Sequence, residues 1–157
     1  MQGIYVHIPF CHRKCGYCDF NSYAGLDALV APLVDALHRE IEGSPYGGAH
    51  FDTVFFGGGT PTYLEGTTLV GILEHLARRF NLAPDAEITC EANPGSVSPQ
   101  QLRTLRQGGF NRLSFGVQSF HLDELQRMDR IHTPEEVLHS VEWARAAGFE
   151  NLNLDLI

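Results

Sequence analysis

The feature that most constrains the fold is a repeated order of strand-like and helix-like segments. Short runs that are apolar, or that alternate apolar and polar residues, are separated by longer stretches with apolar residues at helical spacing. Crossovers of about 20–45 residues connect the runs, as β-α-β units with parallel strands require. We therefore expect a parallel α/β sheet. Its five predicted strands are Ile4–Ile8, Thr53–Phe56, Glu87–Glu91, Arg112–Gly116 and Leu152–Ile157.

Helices are predicted between the strands. Apolar spacing places the first over residues 26–41 and the second over 69–80. Ser98 and Thr133 each stand before a proline and three residues before Gln or Glu, which is the capping-box signature of a helix start. Gly108 and Gly148 should end these two helices. A short helix is expected over 122–128.

Right-handed crossovers that repeat in one sense curl a parallel sheet into a barrel. The expected fold class is therefore α/β: the N-terminal part of a parallel (β/α) barrel, a partial TIM-type barrel truncated after the fifth strand. The pattern leaves a doubly wound open sheet as an alternative. Because the fifth strand is followed by no helix, we expect the sequence to be the front part of a longer protein.

Four of the predicted strands carry polar side chains at every second position, whereas parallel strands covered on both faces are usually apolar throughout. One face of the sheet is therefore predicted to be polar toward the carboxyl ends of the strands, where ligands bind in α/β folds. The polar positions are Tyr5, His7, Thr89, Glu91, Ser114, Gly116, Gln118, Asn153 and Asp155.

The second strand runs into three glycines, Gly57 to Gly59, followed by Thr60 and Pro61. Glycines at a strand exit let the backbone approach a ligand and expose its amide and carbonyl groups. A flexible turn is the alternative. The loop is neither a dinucleotide fingerprint nor a P-loop, and its carbonyls would suit a cationic amine as well as its amides would suit phosphate.

Three cysteines, Cys11, Cys15 and Cys18, follow the first predicted strand at C-x3-C-x2-C spacing. Three thiolates are too few for a closed structural zinc site or a fully ligated cubane. An iron–sulfur cluster held in this way would leave one iron open to a ligand from outside the protein. A zinc ion with His12 or His7 as a fourth ligand remains an alternative.

A disulfide framework is not expected, because the sequence shows no signal peptide and a reducing compartment is indicated. Cys90 lies in a predicted strand on the face of Ile88, and it is expected to be a small buried hydrophobe.

The net charge is −8, and the single lysine, Lys14, lies inside the cysteine loop. An acidic chain without a basic patch argues against nucleic acid or an anionic membrane as the main partner. No apolar stretch approaches the length of a transmembrane helix. We therefore expect a soluble cytoplasmic protein.

Several motifs resemble the radical S-adenosylmethionine (SAM) family, and within it the group that contains the oxygen-independent coproporphyrinogen III oxidases and the HemW heme chaperones. The resemblance runs across the whole sequence, so residues 1–157 would be the N-terminal portion of one radical SAM core domain, with the rest of the barrel and a C-terminal domain absent. The motifs are Tyr5–Cys11, Cys15–Phe20, Gly57–Pro61, Glu91–Pro94, Gly116–Phe120 and Asn153–Ile157.

This resemblance implies a [4Fe-4S] cluster held by Cys11, Cys15 and Cys18, with the amino and carboxylate groups of SAM on the fourth iron. In the radical enzymes of the family, an electron from the cluster cleaves the sulfonium and releases a 5′-deoxyadenosyl radical. The residues that the resemblance assigns to SAM binding are Tyr5, Tyr17, Gly58, Gly59, Thr60, Glu91, Gln118, Arg130 and Asp155. It assigns no catalytic residue. Of the remaining histidines, His132 has the best claim to a role because it is close to Arg130 in sequence.

Two functions follow from the resemblance. The oxidase pattern has a fourth cysteine two residues after the triplet, but this sequence has Phe20 there. The segment from Cys18 to Tyr23 is similar to the heme chaperones instead. We therefore expect a HemW-like heme chaperone, with oxidative decarboxylation of coproporphyrinogen III as the alternative. The implied partners are heme or a porphyrin, a heme-acceptor protein and an electron donor.

Overall fold

A computed structural model describes residues 2–157, so Met1, the first residue of the expected domain, lies outside the described residues. Five strands form one sheet in which every pairing is parallel. Their order in the sheet is β1-β2-β3-β4-β5, which is also their order in the sequence. The strands are β1 (Gly3–Ile8), β2 (His50–Gly58), β3 (Asn81–Ala92), β4 (Arg112–Gln118) and β5 (Asn151–Leu156).

The consecutive strand order distinguishes between the two folds that the sequence allowed. A doubly wound sheet reverses its strand order at a switch point, and this sheet has no reversal. The α/β expectation with a barrel-type strand order is therefore confirmed, and the doubly wound alternative is wrong.

Five α-helices and two 3₁₀ turns lie between the strands. Thr133 and Glu136 form the reciprocal capping box that the sequence predicted. At Ser98 only half of the predicted box is present: Ser98 accepts a hydrogen bond from the amide of Gln101, but the Gln101 side chain donates to the carbonyls of Thr62 and Leu64. The 3₁₀ turns are Asp27–Leu29 and Pro61–Tyr63. The helices are α1 (Val30–Gly43), α2 (Gly66–Arg79), α3 (Pro99–Gln107), α4 (Leu122–Arg127) and α5 (Pro134–Ala146).

The hydrophobic core lies between the apolar face of the sheet and the helices. Strand residues such as Ile8, Phe56 and Phe115 are fully buried, and each contributes about 1.5–3 kcal/mol by burial. Phe56 also meets Phe110 edge to face, with ring centroids 5.0 Å apart. Cys90 is fully buried in this core, as expected, and burial strongly raises the pKa of its thiol.

β2 and β3 begin at His50 and Asn81, several residues before their predicted starts at Thr53 and Glu87. The early part of β3 pairs His50 with Asn81, and the register then shifts between Phe51 and Thr53. Pro84 lies within the displaced part of β3, where no partner residue is paired with it. Proline cannot donate a ladder hydrogen bond, which is consistent with its place in the unpaired part of the strand.

A second irregularity lies at the carboxyl end of β4. Gly116 pairs with Asp155, but Gln118 pairs with Leu156, so Val117 is an extra residue in β4. Gln118 itself has a positive φ of 69°. This β-bulge changes the direction of the chain where β4 enters the predicted polar region.

Among residues 2–157, no helix is long and apolar enough to cross a membrane.

Candidate functional site

The carboxyl ends of the five strands meet at one edge of the sheet, and a cleft of about 410 Å³ opens there. Parallel strands bring their exits together in this way, so residues far apart in the sequence share one site. The predicted site residues that line the cleft are Cys11, Cys15, Tyr17, Cys18, Gly58, Gly59, Thr60, Glu91, Gln118, Arg130 and Asp155.

Tyr5 is the one predicted site residue outside this lining. Its ring stacks on Phe55 with centroids 6.1 Å apart, and its hydroxyl lies 3.0 Å from Nδ1 of His7. Burial raises the pKa of Tyr5, and the nearby charge of Glu91 raises it further. Tyr5 therefore lies on the polar face, beside the cleft rather than in its wall.

The loop that carries the cysteines is closed at its base. Cys11 lies in a two-residue strand, Phe10–Cys11, which pairs with Tyr23–Ala24. Within the loop, Nζ of Lys14 donates to the carbonyls of Phe20 and Ser22 at 3.1 and 3.2 Å. These bonds hold the loop in a fold that keeps the three thiols partly buried at the cleft.

Each of these thiols has a hydrogen-bonding group beside it. The hydroxyl of Thr60 donates to Sγ of Cys11 at 3.7 Å, and Nη1 of Arg130 donates to Sγ of Cys15 at 3.5 Å. The hydroxyl of Ser22 lies 4.0 Å from Sγ of Cys18. Donors aimed at sulfur stabilise thiolates and tune iron–sulfur clusters, so the three cysteines fit a [4Fe-4S] group.

The geometry does not favour the zinc alternative. Both ring nitrogens of His7 are engaged, one by Tyr5 and the other by the carbonyl of Asn21 at 2.9 Å. The ring of His12 lies against Tyr63, with centroids 4.7 Å apart. Over residues 2–157, no three His, Cys, Asp or Glu side chains are placed to hold one metal ion. Thiolates that bind separate irons of a cubane stand further apart than thiolates sharing one ion.

A hydrogen-bonded chain connects two of the thiols across the cleft. Nη2 of Arg130 donates to Oδ1 of Asn93 at 2.6 Å, and Nδ2 of Asn93 donates to Oγ1 of Thr60 at 2.9 Å. With its oxygen accepting from Asn93, the Thr60 hydroxyl is oriented to donate to Cys11. Asn93 thereby links the donor of Cys11 to Arg130, the donor of Cys15.

The glycine loop approaches the cysteine loop at backbone distance. A Cβ atom on Gly59 would lie 2.5 Å from the carbonyl oxygen of Phe10 and 3.0 Å from Sγ of Cys11. The amides of Gly59 and Thr60 donate to the carbonyls of Ile8 and Phe10 at 2.8 and 2.7 Å. Only glycine fits this approach, which explains why the loop beside the thiols is built from it.

Charges of both signs face the cleft. Glu91 accepts a hydrogen bond from the Gly58 amide at 3.3 Å, and burial raises the pKa of its carboxyl, with a smaller upward contribution from Asp155. Asp155 accepts from Ser114 at 2.9 Å and from Asn153 at 2.7 Å. With the Arg130 guanidinium also in the lining, the site suits a zwitterion that carries both a cationic group and a carboxylate.

Tyr17 lines the same cleft as these charges and the thiols. Burial raises the pKa of its phenol, Arg130 lowers it, and Cys15 and Cys18 raise it again.

Asn93 is part of the motif Glu91–Pro94, yet no role was predicted for it. It directly follows β3, two residues after Glu91, so continued alternation would place it on the face of Glu91. That alternation was the signal that could have identified it. The role of Ser22 could not be found in this way, since it depends on how the cysteine loop folds back on itself.

The sequence is similar to known proteins over nearly its whole length. A profile of the radical SAM superfamily matches residues 5–157. The heme chaperone HemW of Escherichia coli (strain K12) is 41% identical over 160 residues, covering 99% of this chain and 42% of the relative. HemW of Bacillus subtilis (strain 168) is also 41% identical over 160 residues, covering 100% of this chain and 42% of the relative.

Among solved structures, coproporphyrinogen III oxidase (HemN) from Escherichia coli, described as a radical SAM enzyme, superposes with a TM-score of 0.89. It is 37% identical, and the match covers 99% of this chain and 36% of that one. The chain thus spans about two fifths of the length of the curated relatives it matches.

Proposed function

The chain belongs to the radical SAM superfamily, and on that premise we propose that it binds a [4Fe-4S] cluster and SAM in the strand-end cleft and serves as a HemW-like heme chaperone. Residues 1–157 would form the N-terminal portion of the core domain. Heme is the proposed cargo, and the proposed partners are a heme-acceptor protein and an electron donor.

Cys11, Cys15 and Cys18 are the residues that would hold the cluster. When bound together, the cluster and SAM supply reductive cleavage of the sulfonium bond. The protein's part is to hold three thiolates and to direct hydrogen bonds at them from Thr60 and Arg130, at 3.7 and 3.5 Å.

SAM combines an amine, a carboxylate and a sulfonium, and the charges of the cleft complement these groups. Glu91 and Asp155 would face the cationic or hydroxyl-bearing parts, and Arg130 would pair with the carboxylate. Gly58, Gly59 and Thr60 would lie along the methionine moiety, with Gln118 and Tyr17 completing the wall. Tyr5 would act from beside the cleft.

The observation that carries the choice of chaperone over oxidase is Phe20. It stands at the position where the oxidase pattern has a fourth cysteine, its side chain is 71% exposed, and it lines the cleft. An exposed aromatic ring beside the cluster loop offers an apolar contact to a flat porphyrin, and it offers no sulfur ligand. Sequence identity to two HemW proteins supports the same choice.

The oxidase remains a second candidate function, because the superposition on HemN covers nearly the whole chain with a TM-score of 0.89. In that case, the same cleft would hold the cluster and SAM for oxidative decarboxylation of coproporphyrinogen III.

Cluster binding is tested by anaerobic reconstitution of the full-length protein and measurement of bound iron and sulfide. Each of the single variants Cys11→Ala, Cys15→Ala and Cys18→Ala should lose the cubane absorption and most of the bound iron. Cys90→Ala is the matched control, because Cys90 is buried in the core and should leave the iron content unchanged. Unchanged iron in the three loop variants would refute the site.

The choice of function is tested on the same reconstituted protein by heme titration and by an assay of coproporphyrinogen decarboxylation with a reductant. A chaperone should retain heme and release it to an apo-acceptor without decarboxylating the porphyrinogen. Robust turnover without heme retention would instead establish the oxidase.

A further inference from the structure

We infer that His132 is a positioning residue for the cofactor cleft: it holds Gln118 in its cleft-facing conformation through the backbone carbonyl of Val117. The inference rests on the proposed binding of SAM in this cleft. It concerns a residue outside the cleft lining, on the segment between α4 and α5.

The β-bulge in β4 creates the need for such a residue. Val117 is the extra residue between the pairs Gly116–Asp155 and Gln118–Leu156, so it has no partner residue in β5. A buried carbonyl without a partner is unfavourable, and Val117 is fully buried. The Ser119 amide satisfies one lone pair at 2.9 Å.

His132 satisfies the other. Its Nε2 donates to the Val117 carbonyl at 3.0 Å, and the residue is only 2% exposed. Because the partner is a carbonyl, the hydrogen lies on Nε2. Nδ1 is buried and has no partner among the described residues, so the Val117 bond is the one hydrogen bond that the ring makes there.

The segment that carries His132 also secures the neighbouring carbonyl. Arg130 donates to the carbonyl of Gly116 through Nη2. Two successive carbonyls at the end of β4 therefore accept hydrogen bonds from the same short segment, one from Arg130 in the cleft lining and one from His132 outside it.

The conformation held in this way is one that glutamine seldom adopts. Gln118 has a φ of 69°, and such conformations persist only where the surroundings fix them. Its side chain turns back over Gly116, where an added Cβ would lie 3.2 Å from Nε2 of Gln118. The amide of Ile157 fixes the Gln118 carbonyl at 3.0 Å. Removing the His132 donor loosens the preceding peptide and lets the side chain leave the cleft.

The test uses the full-length, cluster-loaded protein and the dissociation constant of SAM, measured by calorimetry. In glutamine, the amide nitrogen can occupy the place of Nε2, whereas in asparagine it can reach only the place of Nδ1. H132Q should therefore bind SAM as the wild type does, and H132N should bind it about three- to tenfold more weakly, as expected for one lost hydrogen bond. H132L, which is apolar and lacks a donor, should match H132N and serves where H132N fails to fold.

The matched control is H139N, since His139 is exposed on α5 and stacks on Trp143. It should leave SAM affinity unchanged. A double-mutant cycle then separates positioning from a general loss of structure: in a Q118A background, H132N or H132L should have no further effect.

Three results would overturn the inference: wild-type affinity in H132N and H132L, an affinity of H132Q as low as theirs, or a full additional loss in the Q118A background. Failure of the wild-type protein to bind SAM would instead refute the proposed function on which the inference rests.

Discussion

At the scale of single residues, the cleft is defined by groups whose protonation and hydrogen bonding depend on one another. Glu91 is half-buried, lies near Asp155, and accepts a backbone hydrogen bond from Gly58. Burial disfavours the charged carboxylate, which costs free energy in the unliganded protein, and a cationic ligand in the cleft would stabilise that charge.

This cost predicts a dependence of stability on pH. Burial raises the pKa of Glu91 above its ordinary value of 4.5, so the folded protein keeps this proton to a higher pH than the unfolded chain does. The stability contributed by the group is fully present below the unfolded pKa and is lost as pH rises through the folded pKa. Urea unfolding of the unliganded protein from about pH 4 to 7 should show this loss, and Glu91→Gln should remove it.

Glu150→Gln provides the comparison, because Glu150 is exposed before β5 and lies outside the cleft. Its pH profile should match that of the wild type. Identical profiles for wild type and Glu91→Gln would contradict the assignment of the raised pKa to Glu91.

Asn93 carries the second prediction at this scale. Asn93→Ala removes the bonds to Arg130 and Thr60, leaving partly buried groups unsatisfied, and it should lower the free energy of unfolding by about 1–3 kcal/mol. Urea denaturation measures the change. Asn81→Ala, at an exposed position that begins β3, should cost much less. Equal losses in the two variants would show that the chain of bonds through Asn93 adds little.

At the scale of elements, helix and strand starts were predictable wherever local chemistry sets them. The capping residues Ser98 and Thr133 place α3 and α5 where the sequence indicated. The early start of β3 was not predictable, because it depends on pairing with β2 across the interruption at Pro84.

The candidate site shows the same division. Strand alternation placed Glu91 and Asp155 on the polar face, since period two holds over those parts of β3 and β5. Gln118 also lines the cleft, although the bulge at Val117 interrupts the alternation before it. The bulge at Val117 and the bond to it from His132 depend on the register between β4 and β5, which no local pattern encodes. Tyr5 lies on the predicted face, but it stands three residues before the end of β1 and is outside the cleft lining.

The same substitution, glycine to alanine, should have opposite effects on stability at two positions. Gly71 lies in α2 with open space where a Cβ would be, so Gly71→Ala should stabilise the protein by about 1 kcal/mol through helix propensity. Gly59→Ala makes the same chemical change where Cβ meets a backbone oxygen at 2.5 Å, and it should destabilise by about 1–3 kcal/mol. Thermal unfolding of both variants measures the difference. A stabilising Gly59→Ala would contradict the close approach of the two loops.

At the scale of the whole molecule, one sheet edge gathers residues from the exits of all five strands. A ligand in the cleft would contact the loop after β1, the glycines of β2, Glu91 of β3, Gln118 of β4 and Asp155 of β5. Its binding energy therefore acts on the folding of the entire chain rather than on one loop.

SAM should accordingly raise the thermal stability of the cluster-loaded, full-length protein. At a concentration one hundred times its dissociation constant, the gain is about 2.7 kcal/mol. Methylthioadenosine, which lacks the amine and carboxylate of SAM, is the matched ligand control. At the same concentration, it should raise the unfolding temperature measured by scanning calorimetry much less than SAM does. Equal shifts with both ligands would contradict the roles given to Arg130 and the acidic pair.

The ammonium bonds inside the cysteine loop have a practical consequence. Lys14 is the only lysine in the sequence, and its Nζ is bound to the carbonyls of Phe20 and Ser22. Within this sequence, Lys14 is the one side-chain target of an acylating reagent specific for primary amines, and modifying it breaks both of those bonds. The rate of labelling at Lys14 therefore reports how often these two hydrogen bonds break and the loop opens. Mass spectrometry can measure this rate before and after the metal is loaded.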